Sequence, residues 1–177
     1  MTSTMINPSR EELLGFFKEK LIDNYVIAFV GSPLRSDDRA ALILYELLDK
    51  DNGAERLIYC EYGLETCIED IKHADPKGLI IVDAGYAENM SPGTIVVTTI
   101  ENVRDAFTLA TTHNIPIRLI LKILESETGV EQVYVVAIIA SSLEIGMEIS
   151  DPVKRSIGFL AEIINEALRE ISTSNKT

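Results

Sequence analysis

The chain has 177 residues, enough for one domain with a sizeable core, and 46% hydrophobic with 25% charged residues is ordinary water-exposed globular material. A net charge of -12 argues against a nucleic-acid or anionic-membrane surface. The N-terminus lacks signal architecture, and the apolar runs Leu79–Val82 and Val133–Ala140 are too short to span a bilayer, so a cytoplasmic protein without membrane insertion is expected.

Residues 1–6 are expected to fray. A first helix follows, with Pro8 suited to a first helical position and Ser9 with Glu12 forming a capping box. Leu13, Leu14, Phe16, Phe17 and Leu21 give it an apolar face. Tyr25–Val30 reads as a strand covered on both faces, ended by Gly31. Asp37 and Asp38 precede a helix that turns Ala40, Leu44, Leu47 and Leu48 inward. A helix start favours acids, which accounts for one of this pair and not for both.

Leu57–Cys60 is a short strand and Leu64–His73 a helix. Cys60 and Cys67 are too few for a disulfide framework and read as two unpaired core thiols. Leu79–Asp83, LIIVD, is the clearest strand, apolar until its last residue. Thr94–Thr98 is a strand with a short connection back to Asp83, which allows antiparallel pairing at an edge. A modest helix spans Glu101–Leu109, and Thr111–Asn114 is a polar segment. Ile115–Leu124 is a helix with Pro116 in its first turn, Gln132–Ile138 a buried strand, and Pro152–Ile171 a closing helix before a polar tail, residues 172–177, that frays. Gln132 is the single glutamine, a depletion that points towards a hot-growing source.

Strands alternate with helices, without repeats or a linker, so residues 1–177 read as a single domain. The expected fold is α/β: a three-layer αβα sandwich around a mainly parallel, twisted sheet of about five strands, with room for one antiparallel edge strand. Ligands in such folds bind beyond the carboxyl ends of the strands, where strand order switches. The polar residues placed there are Asp37 and Asp38, then Glu61 and Gly63, then Asp83, then Ser141, Ser142 and Glu144, with His113 between helices. Each has a plain structural reading: Asp83 as a turn cap, His113 as a loop histidine, Gly63 as a strand end, Glu61 as a solvated side chain. The set Asp38, Asp83 and His113 is more telling than any member, because two carboxylates and an imidazole suit a divalent metal such as zinc or nickel.

At these residues the sequence resembles a known family, the maturation endopeptidases of nickel–iron hydrogenases. The matching pieces are FVGSPLRSDDRAA, the strand LIIVDAG followed by Ser91-Pro92-Gly93, and LATTHNIPI, Leu109 to Ile117. Order and spacing agree from about Tyr25 to Pro116, and TTHN-x-P is most similar to the branch serving membrane-bound, formate-hydrogenlyase-type hydrogenases. The resemblance implies an endopeptidase that removes the C-terminal extension of a hydrogenase large-subunit precursor after nickel insertion. Nickel carried by the precursor would be the recognition signal. It also implies metal-binding positions at Asp38, Asp83 and His113, with Asp38 and Asp83 as the catalytic carboxylates and Gly63 in a loop tied to substrate choice. Ser32 stands where the family has Asn, and Arg39 where it has Gly. A cation at position 39 is placed to pair with Asp38, and it gives a rival reading: a metal-dependent chaperone that binds the precursor without cutting it. A phosphoacceptor receiver domain is a further rival, opposed by the spacer Ser32–Ser36 and by the missing lysine after the last strand.

Overall fold

The computed structural model describes residues 3–110 and 116–174, with backbone only at positions 104 and 105. Among these residues seven strands form one sheet. The chain runs β1 (Met5–Ile6), α1 (Arg10–Ile22), β2 (Tyr25–Gly31), a 3-10 turn (Ser36–Arg39), α2 (Ala40–Glu46) and β3 (Leu57–Glu61). Another 3-10 turn (Leu64–Cys67), α3 (Ile68–Ala74), β4 (Gly78–Tyr86) and β5 (Ile95–Thr99) follow. The rest is α4 (Val103–Ala106), β6 (Thr108–Leu109), α5 (Ile117–Glu127), β7 (Gln132–Ile139) and α6 (Asp151–Ser174).

The sheet order is β1-β5-β7-β4-β2-β3, with β6 paired to β4 outside this path. Strands β3, β2, β4 and β7 are mutually parallel, whereas β5 runs antiparallel to β7 and β1 antiparallel to β5. Strand alternation sorts the core into two layers. Ile27, Phe29, Ile80, Val82, Val136 and Ile138 pack with α1, α2 and α6, while Val26, Ala28, Val30, Ile81, Val135 and Ala137 pack with α3 and α5. This is the expected three-layer αβα arrangement with a mostly parallel sheet.

The capping box at Ser9 is present: the Glu12 N–H donates to Ser9 Oγ at 3.2 Å, and the Ser9 N–H donates to Glu12 Oε2 at 2.7 Å. Arg10 then pairs with Glu166 and ties α1 to α6; that hydrogen bond holds the Glu166 carboxyl below the usual carboxylate range. Its contribution is present above the ordinary glutamate pKa and fades as the pH falls, and on an exposed surface it is small.

Several local readings need correction. Residues 1–6 are not all frayed: Met5–Ile6 pairs with Val97 and Val96, and Asn7 exchanges hydrogen bonds with Ile95. The antiparallel strand β5 is therefore covered by β1 and is not the edge. Leu47 is exposed, because α2 ends at Glu46 before its last apolar position can turn inward. The helix expected over Glu101–Leu109 stops at Ala106, and Thr108–Leu109 instead adds to the edge of β4. The last helix also continues to Ser174 rather than ending at Ile171.

The cysteines need correction as well. Cys60 and Cys67 are bonded in a disulfide, with 5.6 Å between their Cα atoms. A helix starting at Leu64 would carry Cys67 away from β3, but the 3-10 turn Leu64–Cys67 folds it back onto the strand end, within disulfide reach. Closing so short a loop stabilises the chain by about 2 kcal/mol through the unfolded state. A Cys60→Ala/Cys67→Ala double variant should therefore lose about 2 kcal/mol in urea unfolding. An unchanged midpoint, together with two alkylatable thiols in the native protein, would show that the bridge is absent in solution.

Candidate active site

The sheet has its switch point at β2. The connection through α2 leads to β3 on one side, and the connection through α3 returns to β4 on the other. The carboxyl ends of β2 and β4 are thus where a ligand is expected. Pairing between them ends at Phe29 with Val82, but β4 runs on to Tyr86. Beyond that point β6 takes over as the neighbour of β4, with Gly85 opposite Leu109 and the Ala110 N–H bonded to Ala84 O at 2.9 Å. Asp83 lies in the notch between the departing β2 and the arriving β6, and it is fully buried, 0% exposed. Asp83 is therefore not the strand end but the residue at which the strand changes neighbours.

The other acid arrives on the loop that leaves β2. Asp38 is 1% exposed, in the 3-10 turn Ser36–Arg39 that packs against β4. Its backbone carbonyl accepts from the Ser32 N–H at 3.2 Å and lies over Gly31, where a Cβ would come within 2.2 Å of it. That close approach is why glycine ends β2. Asp38 and Asp83 are thus brought to the same end of neighbouring strands, the one by a tight turn and the other by the strand itself.

Asp37, adjacent in sequence, does different work. Its carboxylate accepts from the Ser141 N–H at 2.7 Å, the Ser142 N–H at 3.2 Å, the Ser150 N–H at 2.8 Å and the Ser150 hydroxyl at 2.9 Å. It does not cap α2; it fastens the loop between β7 and α6 to the loop that carries Asp38. Ser36 adds two bonds to that loop, from its N–H to Gly146 O and from its hydroxyl to Glu144 O. Ser141, Ser142 and Glu144 thus serve this fastening. The signal for it was in the sequence as serines at both ends of one loop, but nothing there linked them to Asp37.

Arg39 does not pair with Asp38. Its guanidinium donates to Met147 O, on the fastened loop. Among the described residues the cation paired with Asp38 is Arg35, 3.9 Å from Asp38 Oδ2 and anchored by a bond from Nε to Leu143 O at 3.0 Å. A 3-10 turn places residues three apart on one side, which favours Arg35 over the sequence neighbour. Gly63 sits in extended backbone before the turn Leu64–Cys67, next to the Glu65 side chain. His113 lies outside the described residues, as does the rest of the TTHN segment. Among the described residues no group of three or more His, Cys, Asp or Glu is placed to hold a metal ion.

A family model for hydrogenase maturation proteases (HycI) matches residues 63–167, more than half of the chain. The chain belongs to the hydrogenase maturation protease family. Solved structures agree on the fold. The [NiFe] hydrogenase maturation protease HycI from Thermococcus kodakarensis KOD1 is 21% identical, with a TM-score of 0.66 over 87% of this chain and 99% of that one. HybD from Thermococcus kodakarensis is 19% identical, with a TM-score of 0.63 over 82% of this chain and 99% of that one. The endopeptidase HycI from Escherichia coli is 23% identical, with a TM-score of 0.62 over 81% and 90% of the two chains. No curated protein sequence matches the chain. A hydrogenase maturation protease is a peptidase, so the phosphoacceptor alternative falls with this assignment. Among the described residues no helix is long and apolar enough to cross a membrane.

Proposed function

We propose that this maturation protease removes the C-terminal extension of a nickel–iron hydrogenase large-subunit precursor once nickel has been inserted, and that it does so in the cytoplasm. The observation that carries the reading is the pair of buried carboxylates, Asp38 and Asp83, at the carboxyl ends of the two strands flanking the switch point. Two oxygen donors there, with His113 as a nitrogen donor, make a set suited to nickel. The nickel is the precursor's cargo, so recognition and cleavage are linked: only a loaded precursor docks its scissile bond beside the acids.

The reaction is hydrolysis. Water adds to the peptide carbonyl, the C–N bond breaks, and the new amine takes up a proton. One of the two carboxylates accepts the proton of the attacking water and passes it to the leaving nitrogen. The other, with His113, holds the precursor in register, which converts a bimolecular encounter into an oriented one. Neither cysteine can serve as a nucleophile while the bridge is intact. The non-catalytic alternative drew on Arg39 crowding Asp38, and with Arg39 bonded to Met147 O that ground is gone.

Incubation with nickel-loaded and nickel-free precursor, read by intact mass, tests this. Cleavage of the loaded form alone is expected. Equal cleavage of both would remove nickel from the recognition step. Tight binding without a mass change would restore the chaperone reading.

A further inference from the structure

The turn that presents Asp38 also presents a cation to it. Arg35 precedes the 3-10 turn Ser36–Arg39, and its carbonyl accepts from the Asp38 N–H at 2.9 Å. Its backbone is held from the far side as well. Arg35 forms a parallel bridge with Gly146, whose N–H donates to Leu34 O at 2.9 Å and whose carbonyl accepts from the Ser36 N–H at 2.8 Å. The guanidinium is pinned through Nε to Leu143 O at 3.0 Å. With both ends of the side chain fixed, Nη1 comes to rest 3.9 Å from Asp38 Oδ2.

That distance decides what Arg35 does there. An N–H···O hydrogen bond spans about 2.7–3.2 Å, so Nη1 balances the charge of the carboxylate without taking a lone pair of Oδ2. The partners also differ in burial: the Arg35 side chain is 36% exposed and that of Asp38 is 1% exposed. A buried carboxylate keeps its charge at less cost beside a cation, and Arg35 supplies one from the solvent side. A cation so placed opposes the arrival of another, because like charges a few ångströms apart repel strongly where water is partly excluded. A free divalent ion therefore meets an acid whose charge is already balanced. Nickel seated in the precursor is brought in by contact between two proteins, which can outweigh that repulsion.

We infer that Arg35 is a positioning residue that sets metal selectivity through Asp38: it balances the acid in the resting enzyme and disfavours capture of free metal ions, so that the site answers to nickel carried by the precursor. This rests on the proposed reading, in which nickel is the precursor's cargo.

The test titrates nickel(II) alone into the full chain, by calorimetry and without precursor. Arg35→Gln should bind nickel about tenfold or more tightly than wild type, and the gain should vanish in Arg35→Gln/Asp38→Asn. Arg35→Lys keeps the charge and should stay within about threefold of wild type. So should Arg39→Gln, which removes a cation of the same turn that is bonded to Met147 O. An Arg35→Gln protein with wild-type nickel affinity, or with no measurable binding, overturns the inference. So does an equal gain in Arg35→Lys or Arg39→Gln, or a gain that survives Asp38→Asn. A purely structural Arg35 would lower the melting temperature of Arg35→Gln and leave nickel affinity where it was. Arg35→Met, which keeps the apolar stem, repeats the titration should glutamine unsettle the turn. Because no precursor is present, the titration judges Arg35, whereas the cleavage assay judges the proposed reaction.

Discussion

Asp38→Asn and Asp83→Asn should each slow precursor processing by about a thousandfold or more, while the protein remains folded. Asparagine keeps the size of the side chain and removes its basicity, so what is lost is proton acceptance and charge, not packing. Both acids are buried, 1% and 0% exposed, beside the point where the parallel strands β2 and β4 part. Placing two carboxylates there without a chemical task would be a poor use of core space, because burying charge is costly. His113→Ala belongs to the same series and should also lose processing, with the loss concentrated in recognition of the nickel-loaded form. Intact mass of the precursor over time reads all three, and circular dichroism confirms the fold. Normal cleavage by all three variants would remove Asp38, Asp83 and His113 from the reaction. Loss in the two aspartates alone would leave the acids in place and remove the histidine from the set.

The fold was legible because strand and helix periodicity is strong where both faces of a strand are buried. Tyr25–Gly31, Gly78–Tyr86 and Gln132–Ile139 are buried along nearly their whole length, and each is read from its apolar run. The capping box at Ser9 was equally plain, since both partners lie within one turn. The two short strands were not readable. Met5–Ile6 and Thr108–Leu109 contain two residues each, and their pairing partners lie far along the chain, at β5 and β4. Local pattern carries no trace of such contacts.

The same limit governed the site. Asp38 and Asp83 stand out in the sequence because strand ends are where α/β folds place chemistry. The rank of the cations around them was misjudged, since a 3-10 turn and not an α-helix carries the pair of acids, and that rotates Arg35 towards Asp38 and Arg39 away. The disulfide was missed for a similar reason: a seven-residue separation spans two turns of a helix but returns to its starting strand through a loop and a 3-10 turn. A redox assignment drawn from the number of cysteines alone therefore goes astray when the backbone brings the only two together.

Asp37→Ala, one residue from the expected catalytic acid, should act on stability instead of chemistry. Its carboxylate gathers four hydrogen bonds from Ser141, Ser142 and Ser150 at 2.7 to 3.2 Å, with the side chain only 1% exposed. Alanine leaves those donors facing an empty volume. A hydrogen bond to a charged acceptor contributes more than a neutral one, and an orphaned buried donor costs more than the bond was worth. The four are not additive, because Ser141 can turn towards water, so the expected loss is about 3 kcal/mol, or roughly 10 °C in melting temperature for a chain of this size. The loop from Ser141 to Ser150 would detach with it, and with that loop go the carbonyls of Leu143 and Met147 that anchor Arg35 and Arg39. Activity should therefore fall in Asp37→Ala only as far as the folded population and the loop's order fall, and cooling should recover part of it, whereas cooling recovers nothing in Asp38→Asn. Urea unfolding of the two variants beside wild type separates the roles. An Asp37→Ala midpoint within 1 kcal/mol of wild type by the same extrapolation would mean that the serines find water in place of the carboxylate, and that the fastening of the two loops lies in Ser36 and the arginines.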